Sequence, residues 1–266
     1  MHITIINDCR DENARGRQTA RASSLLSSPV SFVGVGSDLE ASGNIIDVLD
    51  AYGEEPGVII VNVAPRNGPA KKWENGTPFG YFWYKKVLVV SSIDGLTLSF
   101  VKKLKLVDSI NVFDIPEVVR FMVENKYISP EVGDHIINTQ FRSYDFLPRV
   151  AALILQNKDV PFTEYGIDSF SDLPLAVWWV DNFGNCKITL LLSEINIGTD
   201  NKVATEIGDL TYYSRLKDVP DKAVALITGS SGLGDNRFSE IVVQGESASV
   251  FLGLSSGAEI SPVCSR

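Results

Sequence analysis

The first hundred residues alternate short, almost wholly apolar runs with polar, helix-forming ones, and this rhythm constrains the fold more than any other feature. HITIIND (2–8) is followed by ENARGRQTARASSLLSS (12–28), and VSFVGVG (30–36) by DLEASGNIIDVLDAYG (38–53). GVIIVNVA (57–64) then precedes the aromatic and β-branched run FGYFWYKKVLVVSSIDGL (79–96). Strands without a polar face need cover on both sides, which predicts an N-terminal α/β sandwich on a mostly parallel sheet. Ser37 or Asp38 is placed to cap the second helix. Two further helices are expected in SPEVGDHIINTQ (129–140) and FLPRVAALILQN (146–157).

The texture changes at KDVPFTEYGIDSFSDLP (158–174), which reads as a link between domains. Beyond it the apolar runs are short and separated by turn residues: AVWWV (176–180), CKITLLLSEI (186–195), KAVALITG (222–229) and SEIVVQ (239–244). The expectation is an α/β domain over 1–160 and a smaller β-barrel-like domain over 173–266.

Of 266 residues 44% are hydrophobic and 21% charged, the balance of a chain that folds. A net charge of -9 repels phosphate backbones and anionic membrane surfaces, so no nucleic acid and no membrane is expected as partner. The N-terminus lacks the cationic and apolar regions of a signal peptide, and no apolar run approaches the roughly 20 residues of a membrane span. A cytoplasmic location is the expectation. Cys9, Cys186 and Cys264 are isolated, which suits free thiols. With His2 and His135 the only histidines, a His-built metal site or a Ser-His-Asp triad is not expected.

Four segments carry candidate chemistry. Asp8 closes the first strand, where open α/β sheets present ligand-binding groups, and its carboxylate could accept two hydrogen bonds from a ribose diol. Asp8 could equally serve as a turn acceptor or helix cap. Asp181-Asn182-Phe183-Gly184-Asn185 interrupts two strand-like runs; it has the chemistry of a hairpin turn and could also hold a ligand. GSSGLGDN (229–236) lacks the Lys and the following helix of a phosphate loop and reads as a solvent loop. In FRSYDF (141–146), Asp145 reads as a helix N-cap, with Pro148 in the first turn.

Taken in order, these segments resemble the S-adenosylmethionine hydroxide adenosyltransferase family, which also contains the fluorinating and chlorinating adenosyltransferases. NDCR (7–10) stands where that family has Ser-Asp-Phe-Gly, and VAPRNG (63–68) where it has Val-Asp-Pro-Gly-Val-Gly. SSIDGLTLSFV (91–101) is similar to its Pro-Asn-Asn-Gly-Leu-Leu segment, and QFRSYDFLPRVAALI (140–154) to Thr-Phe-His-Gly-Arg-Asp-Ile-Phe-Ala-Pro-Val-Ala-Ala. VDNFGN (180–185) is close to Val-Asp-Arg-Phe-Gly-Asn, and the C-terminal stretch from Ala225 to Ile260 resembles the family's Ser-Ser-Gly, Glu-Ile, Gly-Ser-Ala and Leu-Gly-Leu series.

The resemblance implies S-adenosylmethionine as substrate, no further cofactor, no metal, and a homotrimer with sites between subunits. It assigns the ribose to Asp8, the methionine end to Asp181 and Asn185, and the adenine to backbone around Val243, Gln244 and Gly245. Asn13, Asn67, Phe141, Phe183, Ser230 and Ser231 complete the implied contacts. The implied reaction is displacement at the ribose C5′, giving adenosine and methionine. Three water-activating positions of the family are altered, however. Ala64 replaces an Asp, Lys71 or Lys72 falls near an Arg, and Arg142 replaces a His. Alanine accepts no proton and an arginine stays protonated.

Three readings follow. Water could be activated by Lys71, Lys72 or Asp94; the chain could have kept binding and lost the chemistry; or Arg142 and Ser143 could cradle an anionic nucleophile such as halide. Halide transfer fits least, because Ala64 replaces the fluorinating enzyme's Tyr and the segment from Lys71 to Val87 is short. An unrelated nucleoside or sugar-phosphate enzyme would need a phosphate-binding Gly loop where DCRDENARGR (8–17) carries acid.

Overall fold

The computed structural model describes residues 1–64, 77–139, 141–205 and 207–260, and the chain divides into two compact units, Met1–Asp172 and Leu173–Arg266. In the first unit the elements follow as β1 (His2–Asn7), α1 (Glu12–Leu26), β2 (Val30–Gly34), α2 (Asp38–Tyr52), β3 (Gly57–Asn62), β4 (Phe79–Tyr84) and β5 (Val87–Ser92). They continue with α3 (Ser99–Lys103), β6 (Ser109–Val112), α4 (Ile115–Glu124), α5 (Pro130–Asn138), α6 (Arg142–Asp145), α7 (Leu147–Leu155) and β7 (Thr163–Gly166).

These seven strands form one sheet in the order β2-β1-β3-β5-β4-β6-β7. The pairs β1–β2, β1–β3 and β3–β5 are parallel, and β4–β5, β4–β6 and β6–β7 antiparallel, so only β4 and β7 run against the other strands. The pleat sends alternate side chains to opposite faces. Ile3 and Ile5 of β1 join a core with Ala22 of α1, Met122 of α4, Ile136 of α5 and Phe146. Thr4, between them, meets Tyr52 of α2 at 3.1 Å, so helices cover both faces as the apolar strands require. Ser37, not Asp38, caps α2 by accepting the Glu40 N–H at 3.1 Å.

Two expectations are corrected. The 158–172 stretch is not a link: β7 pairs with β6, and Val160 and Ile167 are buried. Lys102 of α3 ties the following residues down by donating to the Phe170 carbonyl at 2.7 Å, and Ser99 donates to that of Ser171 at 2.9 Å. Nor does Asp145 cap a helix. It closes α6, α7 starts behind Phe146 with no side-chain cap, and the Asp145 carboxylate is taken by Arg21, His135 and Arg149.

The second unit is built from β8 (Val177–Val180), β9 (Cys186–Leu191), β10 (Lys202–Thr205), β11 (Gly208–Tyr213), β12 (Val224–Leu233), β13 (Asn236–Val243) and α8 (Ala248–Leu252). Its six strands are ordered β10-β11-β12-β13-β9-β8. Val177, Ile188, Val203, Leu210, Leu226 and Ile241, from six different strands, share one apolar core. Each such side chain contributes about 1.5–3 kcal/mol by leaving water. Among the described residues no helix is long and apolar enough to cross a membrane.

Candidate functional site

At the carboxyl ends of β1, β3 and β5 the apolar runs give way together to polar residues. Asn7 is fully buried, and its Oδ1 accepts the Cys9 N–H at 2.8 Å. Asp8 directs Oδ2 at the Ala64 N–H, 3.1 Å away, while its own N–H donates to the Asn62 carbonyl. One carboxylate oxygen is thereby fixed, and Oδ1 carries no partner among the described residues. Ser92 accepts the Val63 N–H at 3.0 Å, which holds the end of β3 against β5.

Two buried polar atoms in this region have no partner: Nδ2 of Asn7 and Oδ2 of Asp94. An unpaired buried donor or acceptor costs about 1–3 kcal/mol, and a ligand that supplies the missing partners recovers that energy. Asn7 and Asn62 were not singled out from the sequence. The signal was available for Asn7, a polar residue ending a buried strand one position before Asp8.

In the second unit the break between β8 and β9 is a side-chain-organised turn. Asp181 accepts the N–H groups of Phe183 and Asn185, both at 2.9 Å, and the Asn185 side-chain N–H at 3.0 Å. Gly184 takes φ +85°, and its carbonyl receives the Ser249 N–H from α8 at 2.9 Å. The turn is thus pinned to the segment after β13. Between them lies a groove of about 470 Å³ lined by Phe183, Asn185, Leu216, Val243, Gln244 and Gly245, with Ser247 beneath. Phe183 is 73% exposed over it.

Both peptide groups of Gln244 are occupied, its N–H by Ala223 and its carbonyl by Lys222. Those of Gly245, at φ +82°, have no hydrogen-bond partner among the described residues. Asp181 does not line the groove; its carboxylate sets the turn that presents Phe183 and Asn185.

The other sequence candidates fall elsewhere. Ser230 and Ser231 lie on β12 outside the groove. Ser231 is buried, and Lys187 donates to its hydroxyl at 2.5 Å, while the Ser230 N–H donates to Glu240. Asn13 is exposed in the first turn of α1, its N–H held by the Asp11 cap. Arg142 and Ser143 open α6. Arg142 is half-buried, makes no ion pair among the described residues, and has its pKa pushed down by burial. Phe141 before it is 69% exposed. Asn67, Lys71 and Lys72 lie outside the described residues. A more enclosed apolar cavity of about 290 Å³, lined by Ile188, Leu190, Val203, Leu226 and Ile241, contains none of the residues singled out from the sequence.

No family model matches the chain, and no curated protein does. Solved structures do. The crystal structure of an uncharacterized conserved protein from Thermotoga maritima shares 17% identity, covering 97% of this chain and 98% of that one, with a TM-score of 0.65. That of a conserved hypothetical protein from Thermus thermophilus also shares 17%, covering 98% and 99%, with a TM-score of 0.58. The likeness establishes the fold alone.

The described thiols differ sharply. Cys9 is exposed beside Asp8, whereas Cys186 is buried and its pKa is pushed up to about 11, by burial first and by the Asp181 charge second. A thiol reagent at pH 8 is therefore expected to label Cys9 and spare Cys186 in the folded protein, as peptide mapping will read. Because the folded pKa lies above the ordinary value near 9, the neutral buried thiol stabilises fully below pH 9, and that contribution is lost as pH rises toward 11. Cys186→Ala should flatten this part of an alkaline stability profile.

Proposed function

We propose that this protein binds S-adenosylmethionine and transfers its adenosyl group to water at the ribose C5′, releasing adenosine and methionine. The observation that carries the reading is the second-unit groove. Phe183, Asn185, Val243, Gln244 and Gly245, which the family resemblance implicates from two distant segments, line one cavity. In this reading the open Oδ1 of Asp8 receives the ribose hydroxyls, and Asn185 receives the methionine ammonium. Gly245 meets the adenine edge with its free N–H and carbonyl.

Sulfonium is a good leaving group, so positioning and exclusion of water supply most of the acceleration. An oxygen–C5′ bond forms as the C5′–sulfur bond breaks; methionine leaves as a neutral thioether, and the attacking water gives up one proton. Among the described residues, Ala64 cannot take that proton and Arg142 stays charged at neutral pH. Asp94, with its unpartnered Oδ2, is the assigned base. The reading carries with it a cytoplasmic homotrimer with sites between subunits.

Ala64 favours a second reading, a protein that binds S-adenosylmethionine or adenosine without turnover. Incubation with S-adenosylmethionine followed by chromatography separates the two. Adenosine and methionine in equal amounts, lost in Asp94→Asn while binding persists, is the expected result. Binding with no product in the wild-type protein selects the second reading.

A further inference from the structure

The first unit carries a basic cavity that the reading above does not use. α1 buries only Ala22, and two of its arginines, one helical turn apart, lie over the same Tyr144 ring. The guanidinium carbons of Arg17 and Arg21 stand 5.2 and 4.6 Å from its centroid. An arginine stacked on an aromatic ring uses its π face, which leaves the in-plane N–H donors available. Arg17 spends none of them on an acceptor among the described residues.

Next to this pair, the buried Asp145 carboxylate is shared by Arg21 at 3.3 Å, His135 at 3.3 Å and Arg149 at 3.4 Å. A single carboxylate thus answers two guanidiniums and an imidazole. Burial and the neighbouring Arg21 charge both push the Arg149 pKa down, as expected of a cation without enough counter-charge. Glu131 on the rim is held by Ser129. Three guanidiniums against two carboxylates leave an excess of positive charge here, in a chain of net charge -9. The cavity is about 490 Å³, with Phe141, Val132 and Tyr144 as apolar wall.

We propose that this cavity binds a phosphate monoester. The phosphoryl group sits on the in-plane donors of Arg17 and Arg21 with Arg149 behind them, and the organic part lies against Phe141 and Tyr144. Phosphate is favoured over carboxylate because neighbouring forked guanidiniums offer more donors than a carboxylate can use, and a dianion offsets the excess charge better. A monoester is favoured over the bare anion because the volume and the exposed Phe141 ring exceed what phosphate alone fills.

The test is calorimetric titration of phenyl phosphate and of inorganic phosphate at constant ionic strength, into the wild-type protein and into Arg17→Met and Phe141→Ala. Methionine keeps the helix propensity and the contact with Tyr144, and circular dichroism confirms the fold. Saturable binding of phenyl phosphate, tighter than phosphate and weakened about tenfold or more by Arg17→Met, is the expected result. Three outcomes overturn the proposal: no saturable binding at millimolar phenyl phosphate, affinity unchanged in Arg17→Met, or phosphate binding as tightly as its phenyl ester.

Discussion

Gly184→Ala is expected to destabilise the second unit by about 2–5 kcal/mol, from backbone strain at positive φ and from overpacking. A Cβ at this position would stand 2.0 Å from the Ser247 Oγ, 2.6 Å from its Cβ and 3.0 Å from its Cα. No rotamer relieves contact with a neighbour's backbone, so the turn and the start of α8 must separate. Ser247 caps that helix by accepting the Val250 N–H at 3.2 Å, and moving it opens the floor of the groove. Urea unfolding gives the stability change. Adding Ser247→Gly removes the overlap and leaves the φ strain, so the double variant should recover part of the loss. A change below about 0.5 kcal/mol in Gly184→Ala, the size of an ordinary surface substitution, would contradict the packing described.

Phe146→Ala is expected to cost about 3–5 kcal/mol in the first unit, the range for a large buried aromatic cut to a methyl group. Phe146 has no exposed surface, and its ring meets those of Phe79 and Phe113 at 6.2 and 5.6 Å. It is also the joint between two helices: its N–H donates to the Arg142 carbonyl at 2.6 Å, and its own carbonyl accepts the Val150 N–H at 2.9 Å. The cavity left behind should therefore loosen α6 and with it Arg142 and Ser143. Phe146→Leu, which refills most of the volume, should recover most of the stability in the same thermal or urea titration.

The parallel half of the first sheet was legible because its strands are buried on both faces, and GVIIVNVA can do nothing else. The edge was not. All four residues of β7 are exposed, and an edge strand held by its backbone bonds to β6 leaves no apolar alternation to read. The turn at Asp181 was legible from Asn-Phe-Gly-Asn, since Gly supplies φ +85° and the Asp side chain the local bonds. That Gly184 lies against Ser247 was not, because nothing local in the sequence marks that contact. Asp145 shows the opposite failure. Its place before an apolar helix suggested a cap, yet three cations brought from α1, α5 and α7 compete for the same carboxylate and hold it inside.

The central claim is that Asp8 and the groove around Gly245 hold S-adenosylmethionine. Calorimetric titration of S-adenosylmethionine into the wild-type protein and Asp8→Ala tests it most directly. The predicted result is saturable binding that Asp8→Ala weakens by about 2–3 kcal/mol, roughly 30- to 150-fold, as for hydrogen bonds to a charged group. No saturable binding to the wild-type protein at millimolar ligand, or equal affinity in the two proteins, would contradict it.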